Sequence, residues 1–211
     1  MKHSYKYLAA VAATTVVVLA GCGSAPGASD LDQLTAKIAQ ASFRDQGQAT
    51  VDRLVQDEAD RACSAADVAG QPIDEKVAKA IEEANFKAIK WPADGKFLGD
   101  WKAGERVAQT GVGLQWTDND KTVNGGNCYA CHELSPQEVS FGNIGPSLKG
   151  YGKLRGNSEA VVKYTWGKIW NTHAYNACSS MPRFGDAGIL TEAQIKDVMA
   201  LLLDPNSPVN K

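Results

Sequence analysis

The feature that constrains this chain most is the pentapeptide Cys128-Tyr129-Ala130-Cys131-His132. Two thiols in a C-x-x-C spacing lie about one helical turn apart, and the histidine directly follows them. A C-x-x-C-H sequence is the attachment signature of a c-type haem, in which both thiols form thioether bonds and the histidine binds the iron. We therefore predict one covalently bound haem c, attached at Cys128 and Cys131, with His132 as the proximal iron ligand.

Two other kinds of site also use paired cysteines. A structural zinc site takes four cysteine or histidine ligands, usually in pairs; the next candidates here, His173 and Cys178, are unpaired and far along the chain. A redox-active C-x-x-C pair belongs in a βαβ context, and this sequence sustains no alternation typical of strands. Both comparisons favour haem.

The sixth iron ligand has four candidates after the motif: Met181, Met199, His173 and Cys178. Met199 falls on the apolar face of a predicted helix, where core packing explains it. Met181 lies in the irregular segment Ser180 to Gly185, where a proline stiffens the loop. We predict Met181 as the ligand, with His173 and Cys178 as alternatives. A His/Met pair raises the reduction potential and suits electron transfer.

The N-terminus predicts export. Two lysines precede an uncharged run from Leu8 to Ala20, which is too short to span a bilayer but suits a signal peptide. The run ends in Leu19-Ala20-Gly21-Cys22, which resembles the lipobox of bacterial lipoproteins. We predict a lipoprotein-type signal peptide at 1–21, lipidation of Cys22, a flexible tether at 22–30, and a periplasmic protein tethered to the membrane only by this lipid.

Charge and composition limit the remaining classes. A net charge of −2 excludes a nucleic-acid binder that depends on phosphate neutralisation.

All five tryptophans follow residue 90. We therefore place a helical extension at 31–90 and the main core at 91–211. The apolar side chains of the extension are small and few, so we expect it to pack on the second domain or on a partner.

Helical periodicity and capping residues predict an all-α fold with long loops. Two amphipathic helices are expected between Leu31 and Ala66, broken near Gly47, and a third after Asp74. Asp100, Ser158 and the capping box Thr191-Glu192-Ala193-Gln194 predict three more helix starts.

Two cysteines, Cys63 and Cys178, remain after the haem motif and Cys22. In an oxidising compartment, two leftover cysteines favour a disulfide. Such a bond would connect the extension to the segment that carries Met181. Two free buried thiols are the alternative.

The residues from Trp91 to Asn210 resemble the SoxX family, the monohaem subunits of the SoxAX cytochromes of bacterial thiosulfate oxidation. The haem motif and the Met181 loop by themselves are typical of any class I cytochrome c. Two segments make the resemblance specific: Gly142-Asn143-Ile144-Gly145-Pro146-Ser147-Leu148 and the tail Asp204-Pro205-Asn206-Ser207-Pro208-Val209-Asn210.

The resemblance implies a class I cytochrome c-like fold in which Cys128 and Cys131 hold the haem, and His132 and Met181 bind iron. It also implies that the carbonyl of Pro146 accepts a hydrogen bond from His132, a role that the sequence after the motif itself suggests. By the same resemblance a SoxA-like haem subunit carries the catalytic site and SoxYZ is the carrier substrate. The chain would be the non-catalytic redox subunit of L-cysteine S-thiosulfotransferase and pass electrons to a soluble cytochrome c.

The extension, the Cys63/Cys178 pair and the lipobox go beyond a minimal member of that family. A further small subunit is therefore an additional candidate partner. The main alternative function is a free-standing, membrane-tethered monohaem electron carrier, which would use the same haem and the same ligands.

Overall fold

The computed structural model describes residues 27–211, and these contain seven α-helices and no β-strand. The predicted signal peptide and Cys22 lie outside the described residues. The helices are α1 (Ala28–Ser42), α2 (Glu58–Val68), α3 (Glu75–Ala88), α4 (Trp101–Gln109), α5 (Tyr151–Arg155), α6 (Glu159–Trp170) and α7 (Glu192–Leu203). Short 3-10 turns lie at Val51–Leu54, Cys128–Ala130, Thr172–Ala174 and Pro208–Asn210.

Capping side chains define the starts of the later helices. The carboxylate of Asp74 accepts hydrogen bonds from Lys76 and Val77 N–H at the start of α3. Asp100, Ser158 and Thr191 accept backbone N–H groups in the first turns of α4, α6 and α7. These bonds satisfy N–H groups that have no partner inside a helix. The all-α prediction is confirmed.

Helices α4 and α7 cross closely, and Gly104 is the contact point. A Cβ atom built on Gly104 would overlap the backbone carbonyl of Asp197. Just before α4, Gly99 N–H donates to Lys196 O at 2.9 Å, and Asp100 N–H donates to Asp197 Oδ1 at 2.8 Å. The close crossing therefore depends on glycine at position 104, which has no side chain. Two hydrogen bonds from the residues just before α4 also hold α7 in place.

The main core lies between α6, α7 and the loops that connect them. Trp166, Ile195, Met199 and Leu201 have no accessible surface within it. The indole N–H of Trp166 donates to Lys90 O at 2.9 Å, which satisfies the polar atom of this buried side chain. Met199 is thus core packing, as its helical position predicts.

Helices α2 and α3 pack against the segment that follows α6. Ala59 of α2, Ile81 of α3 and Ala177 form a small buried cluster. Asn171 donates to the Asn85 side chain at 2.9 Å, which adds a polar contact between α6 and α3. Residues Asp45–Lys211 form one compact unit, so residues 45–90 of the predicted extension belong to the same unit as the haem motif.

Two boundaries differ from the expectation. Helix α1 begins at Ala28, inside the predicted tether 22–30. The break near Gly47 is a turn in which Gly47 has a φ of 55°, followed by a 3-10 turn rather than directly by the second helix. Within residues 27–211, no helix combines the length and apolar character that crossing a membrane requires.

Replacing Gly104 by Ala tests the helix crossing. In an exposed helix interior this change stabilises by roughly 1 kcal/mol. At the α4–α7 contact we expect it to destabilise by about 1–3 kcal/mol, because the new methyl group displaces the Asp197 backbone. Urea unfolding of the purified protein measures the difference, with Lys102→Ala on the exposed face of α4 as control. A Gly104→Ala variant more stable than wild type would contradict the close contact.

Candidate haem-binding site

The haem motif folds as a single tight turn. Residues Cys128–Ala130 form a 3-10 turn that begins at Asn127, which has a left-handed φ of 46°. The N–H groups of Cys131 and His132 both donate to Cys128 O, at 3.1 and 2.9 Å. This turn presents the two cysteines and the histidine in the compact arrangement that the C-x-x-C-H spacing predicts.

A loop after the motif is bonded along its length to the motif backbone. Gly142 N–H donates to Tyr129 O at 2.9 Å, and Gly145 N–H donates to Cys131 O at 2.8 Å. Leu148 N–H then donates to Glu133 O at 2.8 Å. A Cβ atom on Gly142 would overlap the carbonyl of Ala130, so the loop approaches this closely only because glycine stands there.

This loop orients the imidazole of His132. The ring Nδ1 lies 2.7 Å from Pro146 O, and because a carbonyl oxygen only accepts, Nδ1 carries the proton and donates. A Cβ atom on Gly145 would overlap the ring, so the loop backbone lies directly against it. The bond leaves Nε2 as the nitrogen with a lone pair, which is the form that binds a metal.

These residues fit a haem c. The donor set on the proximal side consists of two cysteine side chains and an imidazole whose Nδ1 donates to a backbone carbonyl. Cys128 and Cys131 are both partly accessible. Cys128 packs on the edge of the main core, and burial raises the pKa of its thiol to about 12.

The structure separates the candidates for the sixth ligand. Cys178 forms a disulfide with Cys63, and Met199 is buried in the core. His173 is also buried, and its Nε2 lies 3.2 Å from Ser179 O, so this nitrogen is engaged in a hydrogen bond. Met181 is half-buried and, like Cys128, packs on the edge of the main core. His173 keeps a second ring nitrogen, Nδ1, without a hydrogen-bond partner, but that atom is buried. Met181 is therefore the candidate that is neither fully buried nor bonded to another cysteine.

The disulfide connects helix α2 to the segment that carries Met181. The Sγ atoms of Cys63 and Cys178 are 2.00 Å apart, and 115 residues separate them in sequence. Cys178 is three residues before Met181. The two cysteines line a cavity of about 330 Å³, which His173 and Ser179 also line.

A carboxylate that the sequence analysis did not single out lies behind the motif. Tyr129, between the two cysteines and almost fully buried, donates its hydroxyl hydrogen to Glu105 Oε1 at 2.9 Å. Burial raises the pKa of Glu105, the Tyr129 hydrogen bond opposes that rise, and the negative charge of Glu138 adds to it. In the sequence, the only indication of this contact is the position of Glu105 on the inner face of α4.

The fold and this site define a cytochrome c domain. The family model for cytochrome c matches residues 118–204. An uncharacterized lipoprotein of Aquifex aeolicus (strain VF5) is 41% identical over 158 residues, which are 74% of this chain and 73% of the lipoprotein. The chain belongs to the same family as this lipoprotein and carries a cytochrome c domain, which implies haem c with its iron and a role in electron transfer.

Removing the disulfide tests its contribution to stability. A bond that closes a loop of 115 residues stabilises by up to about 5 kcal/mol in the chain-entropy model. We expect the double variant Cys63→Ser/Cys178→Ser to lose most of that free energy of unfolding, measured in urea on the holo-protein. Wild type unfolded with a thiol reductant present is the matched control, because a reductant opens the disulfide without altering the sequence. Equal stability of all three would contradict the expectation.

The variant Glu105→Gln tests the buried carboxylate. It keeps an oxygen that accepts from Tyr129 and removes the charge. Since the pKa of Glu105 is raised in the folded chain, its contribution to stability is present below the ordinary value of 4.5 and is lost as the pH rises through the folded value. We expect wild type to lose stability in this window relative to Glu105→Gln, with a constant difference above it.

Urea midpoints across the acidic and neutral range measure this difference. Glu83→Gln, on the exposed side of α3, serves as the control. Parallel pH profiles for wild type and Glu105→Gln would contradict the prediction.

Proposed function

We propose that this chain is the electron-transfer subunit of a SoxAX-type cytochrome that couples thiosulfate to a cysteine of a SoxYZ carrier protein. In this assignment a SoxA-like haem subunit holds the catalytic site. The present chain is the non-catalytic redox subunit of an L-cysteine S-thiosulfotransferase. It accepts electrons from the SoxA-like haem and passes them to a soluble cytochrome c.

The observation that carries the proposal is the way the family-specific tail is built into the domain. Asn210 is buried, and its side-chain oxygen accepts from Gly152 and Lys153 N–H at 2.8 and 3.2 Å. Its side-chain nitrogen donates to Leu202 O at 3.0 Å and to Asp204 O at 2.9 Å. One asparagine thus ties the end of α7 to the first turn of α5, which supports reading this tail as a defined motif rather than a loose end.

The second family-specific segment is the loop that orients His132. Its Gly145-Pro146 pair supplies both the flat surface and the carbonyl that the imidazole needs. Both segments on which the resemblance rests therefore make specific structural contacts, and their residue types explain those contacts. This supports the resemblance beyond a match to cytochromes c in general.

The proposed overall reaction produces electrons that need an acceptor. A carrier thiol and thiosulfate give a cysteine S-thiosulfonate, one proton and two electrons, with a new sulfur–sulfur bond formed. A bound haem c supplies reversible one-electron exchange at its iron. The chain's own residues hold the proton on His132 Nδ1 and orient the ring, and Met181 would supply the second iron ligand. None of them acts as an acid or base toward thiosulfate.

The proposed location is the periplasmic face of a membrane. A lipid on Cys22 would anchor the chain, and the description of the Aquifex aeolicus relative as a lipoprotein supports this. A tethered subunit stays near the membrane, while a soluble cytochrome c diffuses to it. The exposed faces of α2 and α3 offer a surface for the SoxA-like subunit or for a further small subunit.

Purification from a native source tests the proposal. The chain carries a C-terminal tag, the cells grow on thiosulfate, and native and denaturing mass spectrometry follow gentle extraction. We expect a stoichiometric second haem-bearing chain, a haem adduct on the tagged chain and a lipid on Cys22. A Cys22→Ser variant is the control, because it removes the lipid without touching the haem domain.

A lone monohaem chain, with its SoxA-like partner present but unbound in the same extract, would overturn the subunit assignment. The free-standing electron carrier would then stand in its place. A chain that carries no haem adduct would overturn both functions.

A further inference from the structure

We propose that helix α2 braces the Met181 segment at two points, and that the Asp57–Arg183 ion pair is a positioning contact for Met181 as an iron ligand. This inference rests on the proposed ligation by Met181. It assigns a task to a helix that the haem motif itself does not require.

The two points of contact lie on either side of Met181. Cys63 in α2 is bonded to Cys178, three residues before Met181. Asp57, which caps the start of α2, places Oδ2 2.7 Å from Arg183 Nη1, two residues after Met181. The six residue steps from Asp57 to Cys63 span about 9 Å of helix. The first turns of α2 therefore connect Cys178 to Arg183, and Met181 lies between these two contacts.

Other hydrogen bonds hold the parts of this segment on either side of Pro182 and Arg183. Before Met181, Thr172 donates its hydroxyl hydrogen to Ser179 Oγ at 2.9 Å, and Ser179 Oγ in turn accepts Met181 N–H at 3.3 Å. After it, Gly185 and Asp186 N–H both donate to Trp170 O at 3.0 Å. Between these anchors, Phe184 O accepts Leu190 N–H at 2.9 Å, and the ion pair of Arg183 is the side-chain contact to α2.

The ion pair is suited to this task. The side chains of Asp57 and Arg183 are only 38% and 25% exposed, so salt and water screen the pair less than a surface pair. Burial tends to raise the pKa of Asp57, but the Asp60 N–H and Arg183 outweigh it and hold that pKa below its usual range. Asp186 lies 3.8 Å from the same guanidinium nitrogen and adds a second negative neighbour.

The variant Asp57→Asn isolates the ion pair. Asparagine is as good a helix cap as aspartate, so the start of α2 is preserved while the charge is lost. The measurement is the displacement of Met181 from the ferric holo-protein by added imidazole, followed through the methionine–iron charge-transfer band. The midpoint potential is the second readout. We expect displacement about threefold or more easier in Asp57→Asn, as loss of a partly exposed ion pair allows, and a lower midpoint potential.

Four comparisons make the test specific. Arg183→Gln should match Asp57→Asn, and Arg183→Lys, which keeps the charge, should recover part of the wild-type behaviour. Asp94→Asn removes a comparable tertiary contact, the pair with Lys196 at 3.1 Å, and should leave displacement unchanged. Added salt should ease displacement in wild type and have little effect on Asp57→Asn, a readout that stands even where a variant folds poorly.

The outcomes separate the brace from the ligation on which it rests. If Met181→Ala leaves the charge-transfer band of the ferric protein intact, Met181 is not the ligand, and both the ligation and the brace are wrong. If Met181→Ala abolishes the band while Asp57→Asn and Arg183→Gln lower only the unfolding midpoint, the ligation stands and the brace is overturned. Easier displacement in both variants but not in Asp94→Asn supports the brace.

Discussion

The hydrogen bond from His132 Nδ1 to Pro146 O is the contact on which the proximal side of the site depends. An imidazole has two nitrogens, and a fixed acceptor on one of them decides which is left for a metal. The position of that acceptor is set in turn by three backbone hydrogen bonds between the loop and the motif. Glycine at 142 lets the loop backbone approach Ala130 O, and glycine at 145 leaves room for the His132 ring. The orientation of the His132 ring therefore depends on two glycines, Gly142 and Gly145.

The parts of this structure that sequence reasoning predicts are those set by near neighbours. Asp74, Asp100, Ser158 and Thr191 bond to N–H groups within three residues, so the starts of four helices follow from local chemistry. The proximal site is local as well, since His132 and Pro146 are 14 residues apart. The haem-attachment motif is recognised from five consecutive residues. For such contacts the residue type and its position in the chain contain most of the information.

Contacts between distant residues were harder to predict. The sequence suggested the Cys63–Cys178 disulfide only because counting left two cysteines, and the structure contains that bond. Nothing comparable marks Asp57 and Arg183, which are two of many charged residues. The small side chains of α2 suggested a weak core, yet Ala59 packs tightly against Ala177 because alanines allow close approach. A helix with small side chains packs weakly by itself but can pack closely against a complementary surface. The sequence of the helix does not show whether such a surface is present.

The two sides of the site therefore differ in how they are stabilised. On the proximal side, ligand and support belong to one short stretch of chain, so they order together at little entropic cost. On the Met181 side, support comes across 115 residues through the disulfide, and its loss need not disturb the motif. Local opening should accordingly begin at the Met181 segment while His132 stays in place. In the proposed arrangement, helix α2, which lies before the cytochrome c match that starts at residue 118, supports the proposed ligand Met181 inside that match.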